Sequence, residues 1–221
     1  MPVLSASGKL QIPVLVCFRE PNPPRKFADE LACYKYLKCV NSTSGMMSTQ
    51  LCRTWINEVY LPNVEQGSVL LLDSWTGYTK VKDEFARSVE FLTIPKKTTG
   101  EIQPLDVFWN RQLKAFLRRL TEVLLRESPE YIVSIRANLG KLLNVTIRQM
   151  SAPEFEEMGR FAWHKSGYIE ERPERFLTPE QFCFDYSETV SCECGAVALI
   201  KCARCCNYYC VDHFVLEEHD C

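Results

Sequence analysis

The sequence has no apolar run near the ~20 residues that cross a bilayer, which excludes a helical membrane span. Its first residues, Met1 to Leu10, lack a positively charged stretch followed by an apolar one, so the chain is expected to stay inside the cell. Charge of one sign is scarce as well. The 26 Lys and Arg against 28 Asp and Glu leave a formal net charge of −2, so any contact with nucleic acid must come from a local patch. Internal repeats and low-complexity tracts are missing, which excludes solenoid and disordered classes. Histidine is rare, with three in the chain, and two of these lie in the cysteine-rich end.

What is present describes a soluble globular protein of 221 residues, 46% hydrophobic and 24% charged, long enough for one substantial core and a small appended module. Val69-Leu70-Leu71-Leu72, entered from Gly67-Ser68 and ended by Asp73, has the length and flanks of a strand buried on both faces at the centre of a sheet. Asp73 then lies at the carboxyl tip of that strand, where ligands collect in open α/β sheets. A carboxylate there is either a site residue or the opening of a polar turn. Residues 2–18 read as two strands joined through Ser7-Gly8, and residues 19–25 as a Pro-rich loop. The stretch around Phe27 to Leu37 is left unassigned.

A helix capped by Ser48 or Thr49 is expected through about Val59, with Pro62 ending it. Helix is expected over Tyr78 to Arg87, strand over Val89 to Ile94, and a turn at Lys96-Lys97-Thr98-Thr99-Gly100. From Leu105-Asp106 a long helix should run to about Leu125, since Phe108, Leu113, Phe116, Leu120 and Leu124 form one apolar stripe. Arg111, Lys114, Arg118 and Arg119 occupy its other face. Helices over Tyr131 to Gln149, with Gly140 a weak point, and over Ala152 to Lys165 complete an α/β order. His164, near Trp163 and Tyr168, reads as a packed side chain. The stretch from Glu170 to Glu188 is acidic and contains proline, as a linker would.

Asp106 lies one strand and one helix beyond Asp73. If it begins the long helix, the two carboxylates can reach one point at the sheet edge and hold a hard cation such as Mg²⁺. A helix cap is the competing role for Asp106. The strings Leu72-Asp73-Ser74-Trp75-Thr76-Gly77 and Pro95-x-x-Thr98-Thr99-x-x-x-Gln103-Pro104-Leu105-Asp106, followed by a basic helix, resemble the DDE endonuclease domain of pogo-like transposases, the group with the Tigger and centromere-protein-B relatives. The resemblance covers about Ser5 to Leu125. It implies an RNase H-like fold with Asp73 and Asp106 as the second and third metal-binding acids. In that family the first acid lies on a strand ahead of the hairpin, so this chain is expected to hold an incomplete RNase H-like mixed sheet and to be inactive as a Mg²⁺-dependent DNA endonuclease. Glu20, Asp29 and Glu30 have no spacing that recommends them as a substitute. The resemblance also implies a nuclear protein whose Lys96, Lys97, Arg111, Lys114, Arg118 and Arg119 contact DNA phosphates without sequence preference. Solvated helix face is the plainer account of the same charges.

Twelve cysteines would mean disulfides in a secreted chain, but eight of them lie beyond Phe182. Cys17, Cys33, Cys39 and Cys52 are scattered and read as incidental thiols. Cys192-x-Cys194, Cys202-x₂-Cys205, Cys210-x₂-His213 and His219-x-Cys221 are four ligand pairs, enough for two structural zinc ions, with Cys206 a spare thiol. Spacing alone leaves sequential and interleaved pairing open. The run Cys205-x₄-Cys210-x₂-His213-x₅-His219-x-Cys221 resembles the AN-one-type finger of stress-associated and ubiquitin-linked proteins, which implies interleaved pairing. The expected domains are 1–127 for the partial DDE domain, 128–168 for a helical extension, 169–190 for the linker and 191–221 for the zinc module. Two functions follow from these parts. One is a transposase-derived DNA-binding protein; the other is a protein-binding adaptor in which the zinc module does the work.

Overall fold

The computed structural model describes residues 1–186 and 189–221, so the expected linker residue Glu188 lies outside the described residues. Within 2–18 the chain forms two strands, as expected, but a third follows at once. β1 (Val3–Leu4) pairs antiparallel with β2 (Leu10–Gln11) across a turn in which Gly8 has a φ of +92° and its amide donates to the Ser5 carbonyl. A cis Ile12–Pro13 peptide then separates β2 from β3 (Val14–Arg19).

Residues 27–37, unassigned from sequence, contain α1 (Phe27–Leu31) and lead into β4 (Leu37–Ser42), which pairs parallel with β3 from Val14↔Leu37 to Arg19↔Ser42. This β3–α1–β4 unit divides two cores. Val14 and Phe18 on one face of β3 join the main core, while Leu15 on the other face packs with Trp55, Ile56, Leu70 and Val81 in the second. The strand pair with apolar neighbours on both sides is therefore β3–β4.

The Ser48 cap is as expected: its hydroxyl accepts from the Leu51 amide and starts α2 (Thr49–Trp55), which widens into a π turn at Ile56–Tyr60 before Pro62. β5 (Val69–Leu72), α3 (Thr79–Phe85) and β6 (Glu90–Thr93) follow, with β5 and β6 parallel. Burial of β5 on both faces is not what the structure shows. Leu70 and Leu72 are buried, whereas Val69 is 52% exposed, and Leu92 of β6, which pairs with Leu71, equally so. An all-apolar tetrad has no polar residue to mark its solvent face, so the sequence could not reveal the alternation. Among the described residues the strands pair only in twos, in four small sheets, where a single mixed sheet was expected. The architecture is mixed α/β.

The short α4 (Thr99–Ile102) and a π turn at Leu105–Trp109 lead into α5 (Asn110–Glu127), which buries Phe116, Leu120, Val123 and Leu124. Each such side chain contributes about 1.5–3 kcal/mol on leaving water, so this stripe anchors the helix. α6 (Arg136–Met150) starts later than the sequence implied and passes Gly140 unbroken. That glycine leaves room for the Tyr34 ring, which a Cβ would meet at 2.5 Å, and the Tyr34 hydroxyl donates to the Ala137 carbonyl at 2.7 Å. α7 (Glu156–Lys165) packs against the β1–β2 turn. The expected linker contains α8 (Pro179–Phe184), started by a capping box between Thr178 and Gln181. β7 (Ile200–Lys201) and β8 (Tyr208–Tyr209) form the last sheet, and a π turn at Asp212–Leu216 precedes the final histidine. Ile200, Cys202, Tyr209, Phe214 and Val215 belong to the same core as α5, α6 and α7. The cysteine-rich end is thus built into the main core.

Candidate functional site

The small β7–β8 sheet and the π turn after it gather the eight expected ligands into two sets. One is Cys192, Cys194, Cys210 and His213; the other is Cys202, Cys205, His219 and Cys221, and the donor atoms of each set lie within 4.8 Å of one another. First pair joins third and second joins fourth, so the pairs interleave. Sulfurs held tetrahedrally at a metal–sulfur distance of about 2.3 Å stand about 3.75 Å apart, and a sulfur and an imidazole nitrogen about 3.5 Å apart. Here the Sγ atoms of Cys194 and Cys210 are 3.8 Å apart and those of Cys202 and Cys221 3.7 Å. Cys205 Sγ lies 3.5 Å from His219 Nε2, and Cys210 Sγ 3.4 Å from His213 Nδ1. The residues fit a divalent metal such as zinc. None of the twelve cysteines is in a disulfide.

Electrostatics within the first set agree with that fit. Burial pushes the Cys192 thiol up, but amide hydrogen bonds from Cys194 and Cys210 and the His213 imidazole at 3.1 Å outweigh it and bring the thiol down to about 6. Cys210 is pushed up to about 11 by burial and by the sulfurs of Cys192 and Cys194. Cys221 of the second set is also pushed up to about 11, by burial and by Cys202. Crowded sulfurs resist a second negative charge, and a cation among them removes that resistance.

The acidic residues are arranged differently. Asp73 follows β5, half-buried, and its Oδ1 accepts from the Trp75 amide at 3.0 Å, closing a local turn. Asp106 is exposed on the π turn ahead of α5, where its Oδ1 accepts from Asn110 Nδ2 at 2.9 Å. Among the described residues neither acid belongs to a group of three metal-ligating side chains. Glu20 and Glu30 are taken up by Arg136, at 2.7 and 2.8 Å. This donor set does not make a two-ion carboxylate site. Asp73 lines a cavity of about 1100 Å³ that also meets Val3 and Ser5 of the hairpin, Leu71, Leu92 and Gln103. Trp55 Nε1, Gln103 Oε1 and Trp163 Nε1, all from residues on this cavity, are buried without a hydrogen-bond partner.

The cations of the expected DNA contact are on the surface. Lys96, Lys97, Arg111, Lys114 and Arg118 are exposed, and no ion pair among the described residues involves them. Arg119 differs, since it meets Glu122 at 3.8 Å and lies 5.8 Å over the Phe184 ring. His164 is packed as expected, with Nδ1 3.0 Å from the Ile169 carbonyl. Cys206 is exposed and outside both ligand sets.

Comparison with protein-family models matches residues 4–154 to the DDE superfamily endonuclease. The chain belongs to that family. Residues 163–221 of this DDE-family chain match the Tc5 transposase C-terminal domain, so the matched unit starts within α7 and takes in α8 as well as both ligand sets. No curated protein and no solved structure gave a match.

Sequence reasoning missed Asn144, Arg148 and Gln149 of α6, which support the cysteine-rich end and the entry to β4. Asn144 Oδ1 accepts from the Tyr36 amide at 3.1 Å, and Gln149 Oε1 accepts from the Ala203 amide at 2.7 Å. A signal was available, because Asn144 and Arg148 fall at i,i+4 among the apolar Leu142, Leu143, Val145 and Ile147 and therefore share a helix face.

Proposed function

We propose that this chain is a transposase-derived, DNA-binding protein of the nucleus that does not cut DNA in its 221-residue form. The endonuclease match over 4–154 carries the reading. The DNA contact is α5 and the loop before α4, where Lys96, Lys97, Arg111, Lys114 and Arg118 can each meet a phosphate. Arg119 is the weakest member of that group, being committed to Glu122 and Phe184. The finer kinship is with the pogo and Tigger group, supported by the Gln103-Pro104-Leu105-Asp106 string, and the ancestral fold is RNase H-like.

Both ligand sets hold zinc in closed structural sites, in the manner of an AN-one-type finger. The domains we propose are 1–127, 128–168 and 169–190, with 191–221 as the metal-binding part. An adaptor function for that part needs a finger that stands by itself, whereas the core shared by Tyr209 and Phe214 with α6 favours the DNA-binding reading. Deleting residues 191–221 would open that core, so the deciding experiment uses the full chain. Supercoiled DNA incubated with the protein and Mg²⁺ is expected to be bound and to stay intact. Mg²⁺-dependent nicking that disappears in Asp73→Ala would overturn the claim of inactivity.

A further inference from the structure

The two ligand sets differ in what surrounds them. Arg148 on α6 is only 4% exposed, and its Nη2 lies 3.1 Å from Cys221 Sγ, 3.3 Å from the Cys221 carbonyl and 3.4 Å from Asp220 Oδ1. Gln149, 1% exposed, points Nε2 at Cys202 Sγ from 3.5 Å, and the Arg204 amide approaches the same sulfur at 3.4 Å. Arg204 in turn donates to the Arg148 carbonyl at 3.2 Å and to Ser151 Oγ at 2.9 Å, fixing the end of α6 against the second set. Around the first set, no Arg or Lys among the described contacts reaches Cys192, Cys194 or Cys210. Among the described ion pairs its outer partner is a carboxylate, Glu217, 65% exposed and 3.5 Å from His213 Nε2.

Three thiolates and one neutral imidazole around a divalent ion carry a net charge of −1. Burying that charge is costly unless a partner offsets it, and a buried guanidinium is costly unless it faces an anion. In the second set each need meets the other. The first set has only the amides of Cys194 and Cys210 on Cys192, solvent and an exposed carboxylate, and no buried cation. Outer-shell donors of this kind commonly change metal affinity 10- to 100-fold.

We infer that Arg148, assisted by Gln149, is a positioning residue for the second ligand set, and that this set therefore holds its ion more tightly than the first and ties it to α6. The inference rests on the metal reading proposed above. Its test is the release of zinc from the full chain into excess chelator, followed by a colorimetric zinc indicator. Two equivalents are expected, one fast and one slow. Cys194→Ser, which removes an exposed ligand of the first set, should delete only the fast equivalent.

Arg148→Met should speed the slow phase 10- to 100-fold and leave the fast one unchanged, and Arg148→Lys should recover part of the difference. If Arg148→Met does not fold, Gln149→Leu decides: a slow phase accelerated severalfold supports the inference, and an unchanged one overturns it. Release of both equivalents at one rate from the unaltered protein would also overturn it. Uptake of fewer than two ions would instead sink the metal reading on which it stands.

Discussion

Arg53 and Glu84 join α2 to α3 through two hydrogen bonds, both 2.6 Å, from Nε and Nη2 to the two carboxylate oxygens. The Arg53 guanidinium holds the Glu84 carboxyl below its usual range. A depressed folded value means that the pair's contribution is complete above the unfolded glutamate value of ~4.3 and is lost as pH falls through the folded one. Arg53→Met is therefore expected to lower the urea midpoint at pH 7, with the difference from the unaltered chain vanishing near pH 2. A difference independent of pH would show that Arg53 acts through packing alone. The ligand cysteines follow the opposite logic to an ordinary buried thiol, because metal binding needs them deprotonated. The four short-spaced ligand pairs were legible in the sequence, but spacing left their interleaving open. Asn144 and Arg148 stood out as polar residues at i,i+4, yet nothing in a single helix says which distant loop will fold onto it.

Gly8 in the β1–β2 turn and Gly159 in α7 mark a contact between two backbones. A Cβ on Gly159 would stand 2.1 Å from the Gly8 carbonyl oxygen, and one on Gly8 would stand 1.9 Å from the Glu156 oxygen. Alanine in place of a helical glycine ordinarily gains ~1 kcal/mol. Here the overpacking cost of about 1–3 kcal/mol falls on backbone that cannot rotate away. Gly159→Ala is therefore expected to lose up to about 2 kcal/mol by denaturant titration, whereas Gly100→Ala in α4, with nothing within 4 Å, should lose none. Stabilisation by Gly159→Ala would show that the hairpin does not rest on α7.

Among the elements, α5 was readable from its apolar stripe and α2 from its Ser48 cap. β4 was hidden because Leu37 and Cys39 feed one core and Val40 the other, which erases the polar alternation of an ordinary strand. α8 was hidden only by the acidic residues around it. Its Thr178-Pro179-Glu180-Gln181 start carries both the capping box and proline at the first helical position.

The molecule joins an endonuclease-family part to an end whose Cys and His sets could hold metal, through shared packing. Cys183 and Cys202 lie in one core with Phe116 and Leu142, so removing the ions should be felt well beyond the last thirty residues. Chelation is expected to shift a single thermal transition of the whole chain downward. A separate low-temperature step confined to the C-terminal end would instead mean that this end folds independently. A net charge of −2 gives the molecule no general attraction for DNA, so any binding has to come from a local basic patch, and the α5 face is the one proposed.

The central claim is that this face holds DNA through phosphates. The most direct measurement is the dependence of duplex affinity on salt, for the full chain and for the variant Lys96→Ala, Arg111→Ala, Lys114→Ala, Arg118→Ala. Each phosphate contact contributes about −0.9 to the slope of log K against log salt. A steep slope is expected for the unaltered protein, flattening by about 3–4 in the variant, with affinity lowered for every sequence alike. Equal slopes for the two proteins would contradict it.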